Sequence, residues 1–221
     1  RVPSHGTIHA TVFALPDRGF GDGLQDFHPR IQRLAIAITP YFGPGPAAQD
    51  QIVMVNTATY VLTVNGATFT GYQPDDTNVL THPQSLPTSL GGGRWSLDSE
   101  GIAFAASGGG SWYISDEYGP FIYHFDNTGS LLGTLPIPDA FIPKLGTNYP
   151  RTINYLTAGL NAALDSGRSN NRGMEGLSIT PDGKKLVACL QSPLSQDGEN
   201  RNPSRNTRIL VFDLDPASAT Y

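Results

Sequence analysis

Five acidic residues stand at positions from which they could act together: Asp98, Glu100, Asp116, Glu117 and Glu175. Glu100 and Glu175 each precede a glycine and begin a run of alternating apolar and polar residues, which is typical of a β-strand. Carboxylates gathered in one place repel one another unless a cation lies between them or one of them is protonated. Oxygen-only ligands suit Ca²⁺, so we predict a Ca²⁺ site with Glu100, Asp116 and Glu175 as ligands. These three residues and Glu117 are also the predicted catalytic groups.

A simpler interpretation of the acidic residues stays open. Each Glu-Gly pair could merely begin a strand, with its carboxylate in solvent. Successive side chains on a strand face opposite ways, so we expect only one of Asp116 and Glu117 to join Glu100 and Glu175.

Three polar residues at the ends of apolar runs are candidates for binding an anion. Arg18 follows the run VFAL, Arg172 lies three residues before Glu175, and Gln191 follows the run LVACL. The guanidinium fork matches phosphate or carboxylate oxygens, so we predict Arg18, Arg172 and Gln191 as substrate-binding residues. Salt bridges between the arginines and the acidic residues are the alternative.

An internal repeat predicts the elements that position these residues. Segments beginning at Glu100 and Glu175 both read as Glu-Gly, a short strand, a turn, an apolar strand, a loop and a strand ending in Phe-Asp. A partial third copy, HATVFALPDRG followed by PRIQRLAIAI, lies near the N-terminus. Repeated units of three to four strands are typical of a β-propeller, whose loops gather residues at one face. A β-sandwich would explain the alternation but not the repeated Glu-Gly starts.

Two departures from the repeat are expected. The segment TINYLTAGLNAALDS (152–166) has apolar residues at helical spacing, which predicts a short helical insertion that ends at Gly167. A chain of 221 residues supplies about four or five blades of roughly 40–50 residues each. We therefore expect a single all-β propeller domain over residues 1–221 that further chain or a second polypeptide completes.

Charge and composition exclude several functions. The net charge is −5, from 14 basic and 19 acidic side chains, and no basic stripe that would bind nucleic acid is present. No apolar run is long enough to predict a membrane span. Cys189 is the single cysteine, so no disulfide forms within the chain.

The ordered motifs LDSEGIAF, WYISDEYGPFIYHFD, NNRGMEGLSITPDGKKL and LQSPL resemble the phytase-like family, named for the esterase-like activity of phytase. The resemblance runs from about Thr7 to Asp213. The resemblance implies a β-propeller fold and hydrolysis of phosphate esters. It also implies a secreted or periplasmic protein, and we expect this one to be secreted.

Two functions follow from these observations. In the first, the protein is a phosphatase in which Ca²⁺ orients and polarises a phosphate ester while Arg18 and Arg172 bind its oxygens. In the second, it is a secreted, non-catalytic propeller that binds a sugar, a surface or a protein partner, and its carboxylates and arginines are structural.

Overall fold

A computed structural model describes residues 6–18, 23–47, 50–75, 86–90, 93–106, 109–145, 148–150, 164–169, 171–198 and 204–215. The described chain is nearly all β, as the sequence predicts, and its longer strands form three antiparallel meanders. The first meander contains β1 (Ile8–Ala14), β2 (Arg30–Ile38) and β3 (Ile52–Val61). The second contains β6 (Ser99–Ala105), β7 (Ser111–Asp116), β8 (Ile122–Asp126) and β9 (Leu131–Thr134). The third contains β12 (Met174–Ile179), β13 (Lys185–Leu190) and β14 (Ile209–Asp213).

Shorter elements connect the meanders. The strands β4 (Thr63–Val64) and β5 (Ala67–Thr68) form one hairpin, and β10 (Lys144–Leu145) and β11 (Asn148–Pro150) form another. Single 3-10 turns cover Asp139–Phe141 and Ser195–Asp197. In the described part of the chain, no helix has the length and apolar character needed to cross a membrane.

The predicted helical insertion falls mainly on residues 152–163, which lie outside the described ranges. Immediately after them, Ser166 forms an antiparallel bridge with Lys144. Gly167 follows with a φ of +91° and packs against the carbonyl of Ile142, and both features require a residue without a side chain.

Aromatic side chains join the first and second meanders. The ring of Phe13 on β1 meets Trp112 on β7 edge-on at 4.5 Å between centroids, and Phe104 on β6 lies 4.5 Å from the same indole. Such pairs contribute about 0.5–1.5 kcal/mol each beyond the area they bury. The two sheets therefore pack as neighbouring blades of a propeller would.

The second and third meanders approach each other much more closely. The hydroxyl of Ser115 on β7 accepts a hydrogen bond from the Gly101 amide at 2.8 Å and donates to the Glu175 carbonyl at 3.4 Å. A Cβ placed on Gly101 would lie 2.6 Å from that carbonyl oxygen, well inside van der Waals contact. The glycine after Glu100 is thus required for β6 and β12 to pack side by side.

Each Glu-Gly pair of the repeat coincides with a β-bulge. In β6, Ser99 pairs with Asp116 and Ile102 pairs with Ile114, so β6 has one residue more than β7. In β12, Glu175 is the extra residue between the pairs Met174–Leu190 and Gly176–Cys189. A bulge kinks its strand and re-aims the side chain at that point, and bulges are frequent next to active sites.

Candidate functional site

A group of three glutamates is assembled from three strands of two meanders. Glu100 lies in the bulge of β6, Glu117 directly follows β7, and Glu175 lies in the bulge of β12. One carboxylate oxygen from each lies within 4.8 Å of the other two. Glu117 is buried, whereas Glu100 and Glu175 are partly exposed, so the group opens to solvent on one side. The structure therefore brings together the two Glu-Gly glutamates that the sequence repeat singles out.

A second acidic group adjoins the first and shares Glu100 with it. Oxygens of Asp17, Asp98 and Glu100 also lie within 4.8 Å of one another. Ser99 fixes the loop that carries Asp17, because its hydroxyl donates a 2.7 Å hydrogen bond to the carbonyl of Pro16. Asp17 is exposed and Asp98 is completely buried.

Burial and the nearby carboxylates raise the pKa values of Glu100, Asp98 and Glu117. Burial, and then the neighbouring Glu175, raises the pKa of Glu100 to about 8. Burial and the adjacent Asp17 raise the pKa of Asp98 to about 9. Burial also raises the pKa of Glu117, although Arg168 and Arg18 oppose that rise. A bound proton or cation therefore stabilises each of the two acidic groups.

Asp116 faces the interior and is fully engaged in hydrogen bonds. Its Oδ1 accepts from the amides of Asp98 (2.9 Å) and Tyr118 (3.1 Å). Its Oδ2 accepts from the Gly119 amide (3.2 Å) and the Tyr123 hydroxyl (3.1 Å). Burial raises the pKa of Asp116 to about 7, and the three amides oppose that rise. Four donors fill the acceptor positions of a carboxylate, so the geometry favours Glu117 for the ligand position predicted for Asp116.

Arg18 lies inside the acidic site. It is buried, forms an ion pair with Asp98, and places Nη1 3.5 Å from Oε2 of Glu117. Its guanidinium also lies 5.9 Å from the ring centroid of Tyr118. These contacts are the salt bridges that the sequence leaves as an alternative to anion binding. Arg18 thus links the two acidic groups.

Arg168 is a second buried arginine, and the sequence does not single it out. Its side chain donates to the carbonyls of Tyr118 and, at 3.2 Å, Ser169. Burial lowers the pKa of Arg168 to about 10, and Asp116, Glu117 and Asp98 oppose this. It therefore stays protonated at neutral pH and brings a positive charge near the buried carboxylates.

The other two predicted substrate-binding residues lie at the surface. The side chains of Arg172 and Gln191 are exposed, and the backbone N–H of Gln191 donates to the Gly173 carbonyl at 3.1 Å. Within the described ranges, neither side chain forms a hydrogen bond or ion pair with the acidic groups. Gly173, between Arg172 and β12, fits closely here, since a Cβ on it would lie 2.6 Å from the Cα of Glu117. The role of Arg172 and Gln191 in substrate binding stays a prediction.

The site has a large excess of negative charge. Six carboxyl groups, Asp17, Asp98, Glu100, Asp116, Glu117 and Glu175, face two guanidinium groups, those of Arg18 and Arg168. If all ionise, the formal sum is −6 + 2 = −4. A donor set made only of carboxylate oxygens fits a hard divalent cation such as Ca²⁺.

Comparison with known proteins agrees with this architecture. A protein from Arthroderma benhamiae, described as an uncharacterized secreted protein, is 31% identical over 245 residues. The match covers 99% of this chain and 47% of the relative, so the chain spans about half of that protein's length. No solved structure matches the chain. The sequence model of the phytase-like family, described as esterase-like activity of phytase, matches residues 8–221. This chain therefore belongs to the phytase-like family.

Proposed function

We propose that this protein is a secreted hydrolase of phosphate esters that works with a divalent cation, Ca²⁺, bound by Glu100, Glu117 and Glu175. The observation that carries the proposal is the convergence of three carboxylate oxygens within 4.8 Å. Two oxygens on opposite sides of one Ca²⁺ lie up to about 4.8 Å apart, so a single ion can contact all three. The partial exposure of Glu100 and Glu175 leaves room for substrate on the solvent side.

The residues around the cation position have separate tasks. When bound, Ca²⁺ would polarise the ester and neutralise the negative charge of substrate and site. Arg18 holds Glu117 and Asp98 in place through its ion pairs. Arg172, exposed and three residues before Glu175, is the residue best placed in sequence to bind non-bridging phosphate oxygens.

Hydrolysis by acid–base catalysis without a metal can be distinguished from the Ca²⁺-dependent mechanism by experiment. Because burial raises the pKa of Glu100 to about 8, its carboxyl group holds a proton at neutral pH in the absence of a cation. A protonated carboxyl group beside an ionised one is the arrangement needed for general acid–base catalysis. On that mechanism, activity would survive a chelator and would still be lost in Glu175→Gln.

The test is hydrolysis of phytate and of a chromogenic phosphate monoester after chelation and dialysis. We expect activity to disappear on chelation and to return with Ca²⁺ in the wild type. Glu175→Gln should not recover, because a neutral amide oxygen binds Ca²⁺ more weakly than a carboxylate, whereas Asp50→Asn, at an exposed carboxylate outside the site, should recover fully. Recovery of Glu175→Gln to the wild-type level would contradict the proposed ligand set.

Secretion and the type of substrate rest on the comparisons. The Arthroderma benhamiae relative is described as secreted, and the family description names phytase. Secretion is tested by locating the native protein in the culture medium rather than in the cell. Completion of the domain by a second polypeptide stays a prediction.

A second function is favoured by the internal bonding of the site. Arg18 is paired with carboxylates and Asp116 is fully hydrogen-bonded, as in a structural ion site. On this reading the protein is a non-catalytic binding module stabilised by Ca²⁺. It predicts a higher melting temperature with Ca²⁺ but no turnover on phosphomonoesters, phosphodiesters or carboxylesters.

A further inference from the structure

We propose that the site holds a second divalent cation, bound by Asp17, Asp98 and Glu100, so that Glu100 bridges two ions. This inference deepens the proposed function and rests on it, because the bridging residue is a ligand of the first cation. The oxygens of the three residues lie within 4.8 Å of one another, which is close enough for one ion to contact all three. Carboxylates that bridge two ions are typical of sites that bind phosphate oxygens at two points.

The buried oxygen of Asp98 points to a ligand independently of the clustering. Asp98 is completely buried, and its Oδ2 is paired with Arg18. Its Oδ1 is inaccessible to solvent and has no hydrogen-bond donor. The neighbouring Asp17 offers a second acceptor, not a donor, unless one of the two groups is protonated. A buried carboxylate oxygen without a donor is costly, and a cation would satisfy it.

Two divalent cations also match the charge of the fully ionised site. With all six carboxyl groups ionised, the formal charge of −4 already includes Arg18 and Arg168. Two cations would bring that sum to zero.

The chain offers separate variants for each ion. Asp17→Asn changes an exposed side chain of the second group only, and its remaining oxygen can still accept the hydrogen bond from the Arg18 amide. Glu175→Gln changes a partly exposed side chain of the first group only. Asp98→Asn is avoided because it would break a buried ion pair. Asp50→Asn is the control for removal of an exposed charge.

The experiment is equilibrium dialysis of the chelated full chain against Ca²⁺ alone, with bound calcium measured by elemental analysis. We expect two ions per chain in the wild type and in Asp50→Asn, and one in each of Asp17→Asn and Glu175→Gln. Circular dichroism spectra matching the wild type show that the variants are folded.

Other results separate the two claims. One ion in the wild type that Glu175→Gln abolishes and Asp17→Asn keeps would overturn the second site and leave the proposed function intact. One ion that only Asp17→Asn abolishes would place the ion in the second group and would overturn both the first site and the bridging role of Glu100. Two ions that neither variant affects, or none in the wild type, would overturn both.

Discussion

The two glycines of the repeated Glu-Gly pairs are expected to respond differently to substitution. A Cβ on Gly101 would lie 2.6 Å from the Glu175 carbonyl oxygen, 2.7 Å from the Leu177 Cβ and 2.8 Å from the Ser115 hydroxyl. A Cβ on Gly176 would meet only the Cβ of Cys189, at 3.3 Å. Neither glycine has a positive φ, so the comparison concerns space and not backbone strain.

Gly101→Ala should therefore push β6 and β12 apart, because a backbone carbonyl cannot rotate away as a side chain can. Overpacking of this kind costs about 1–3 kcal/mol of folding free energy. In a domain of this size each kcal/mol lowers the melting temperature by about 2–4 °C. Gly176→Ala should change the stability by less than about 1 kcal/mol in either direction, since alanine also restricts the unfolded chain.

Urea denaturation followed by circular dichroism measures both stabilities, and a Ca²⁺ titration measures the consequence for the site. Because Gly101 contacts the backbone of Glu175, we expect Gly101→Ala to weaken Ca²⁺ binding, whereas Gly176→Ala should bind almost normally. Equal stabilities for the two variants, or unchanged Ca²⁺ affinity in Gly101→Ala, would refute the close packing of the bulges described above.

Three further predictions concern the groups behind the site. Asp116→Asn replaces a carboxylate oxygen with an NH₂ group that faces hydrogen-bond donors, so the free energy of unfolding measured in urea should fall by about 1–3 kcal/mol. An unchanged free energy of unfolding would contradict the hydrogen bonding of Asp116. Arg168→Met removes a hydrogen bond to the buried Tyr118 carbonyl and should lower the free energy of unfolding by about 1–3 kcal/mol, whereas Arg172→Met at the surface should change it by less than about 0.5 kcal/mol. A larger loss in Arg172→Met than in Arg168→Met would contradict the burial of Arg168. The folded chelated protein binds more protons than the unfolded chain, because the pKa values of Asp98 and Glu100 are raised to about 9 and about 8. Its stability should therefore fall as the pH rises from their ordinary values near 4 toward 9, and a stability that rises over this range would contradict the burial of these groups.

The sequence predicts the architecture and the pairing of Glu100 with Glu175 because both depend on a repeated local pattern. The same Glu-Gly spacing produces a bulge in β6 and in β12, and equivalent bulges on adjacent strands meet. Alternation along β7 also predicts that Asp116 and Glu117 face different surroundings. It does not say which of them faces the glutamates, since that depends on how the third meander packs.

The contributions of Arg168 and of Asp17 could not be predicted from the sequence. Arg168 and Arg172 lie in the same polar segment, and only the path of the chain buries the first and exposes the second. Asp17 joins Asp98 through a contact between residues 81 positions apart (98 − 17) that no repeat encodes. The sequence offers one signal for Asp17, its place beside Arg18 at the end of the partial N-terminal copy.

The most direct test of the carboxylate site is a crystal structure of the full chain grown with Ca²⁺, with anomalous scattering used to locate calcium. We predict an anomalous peak about 2.3–2.6 Å from oxygens of Glu100, Glu117 and Glu175. No anomalous peak among these three oxygens in crystals grown with Ca²⁺ would contradict the proposed site.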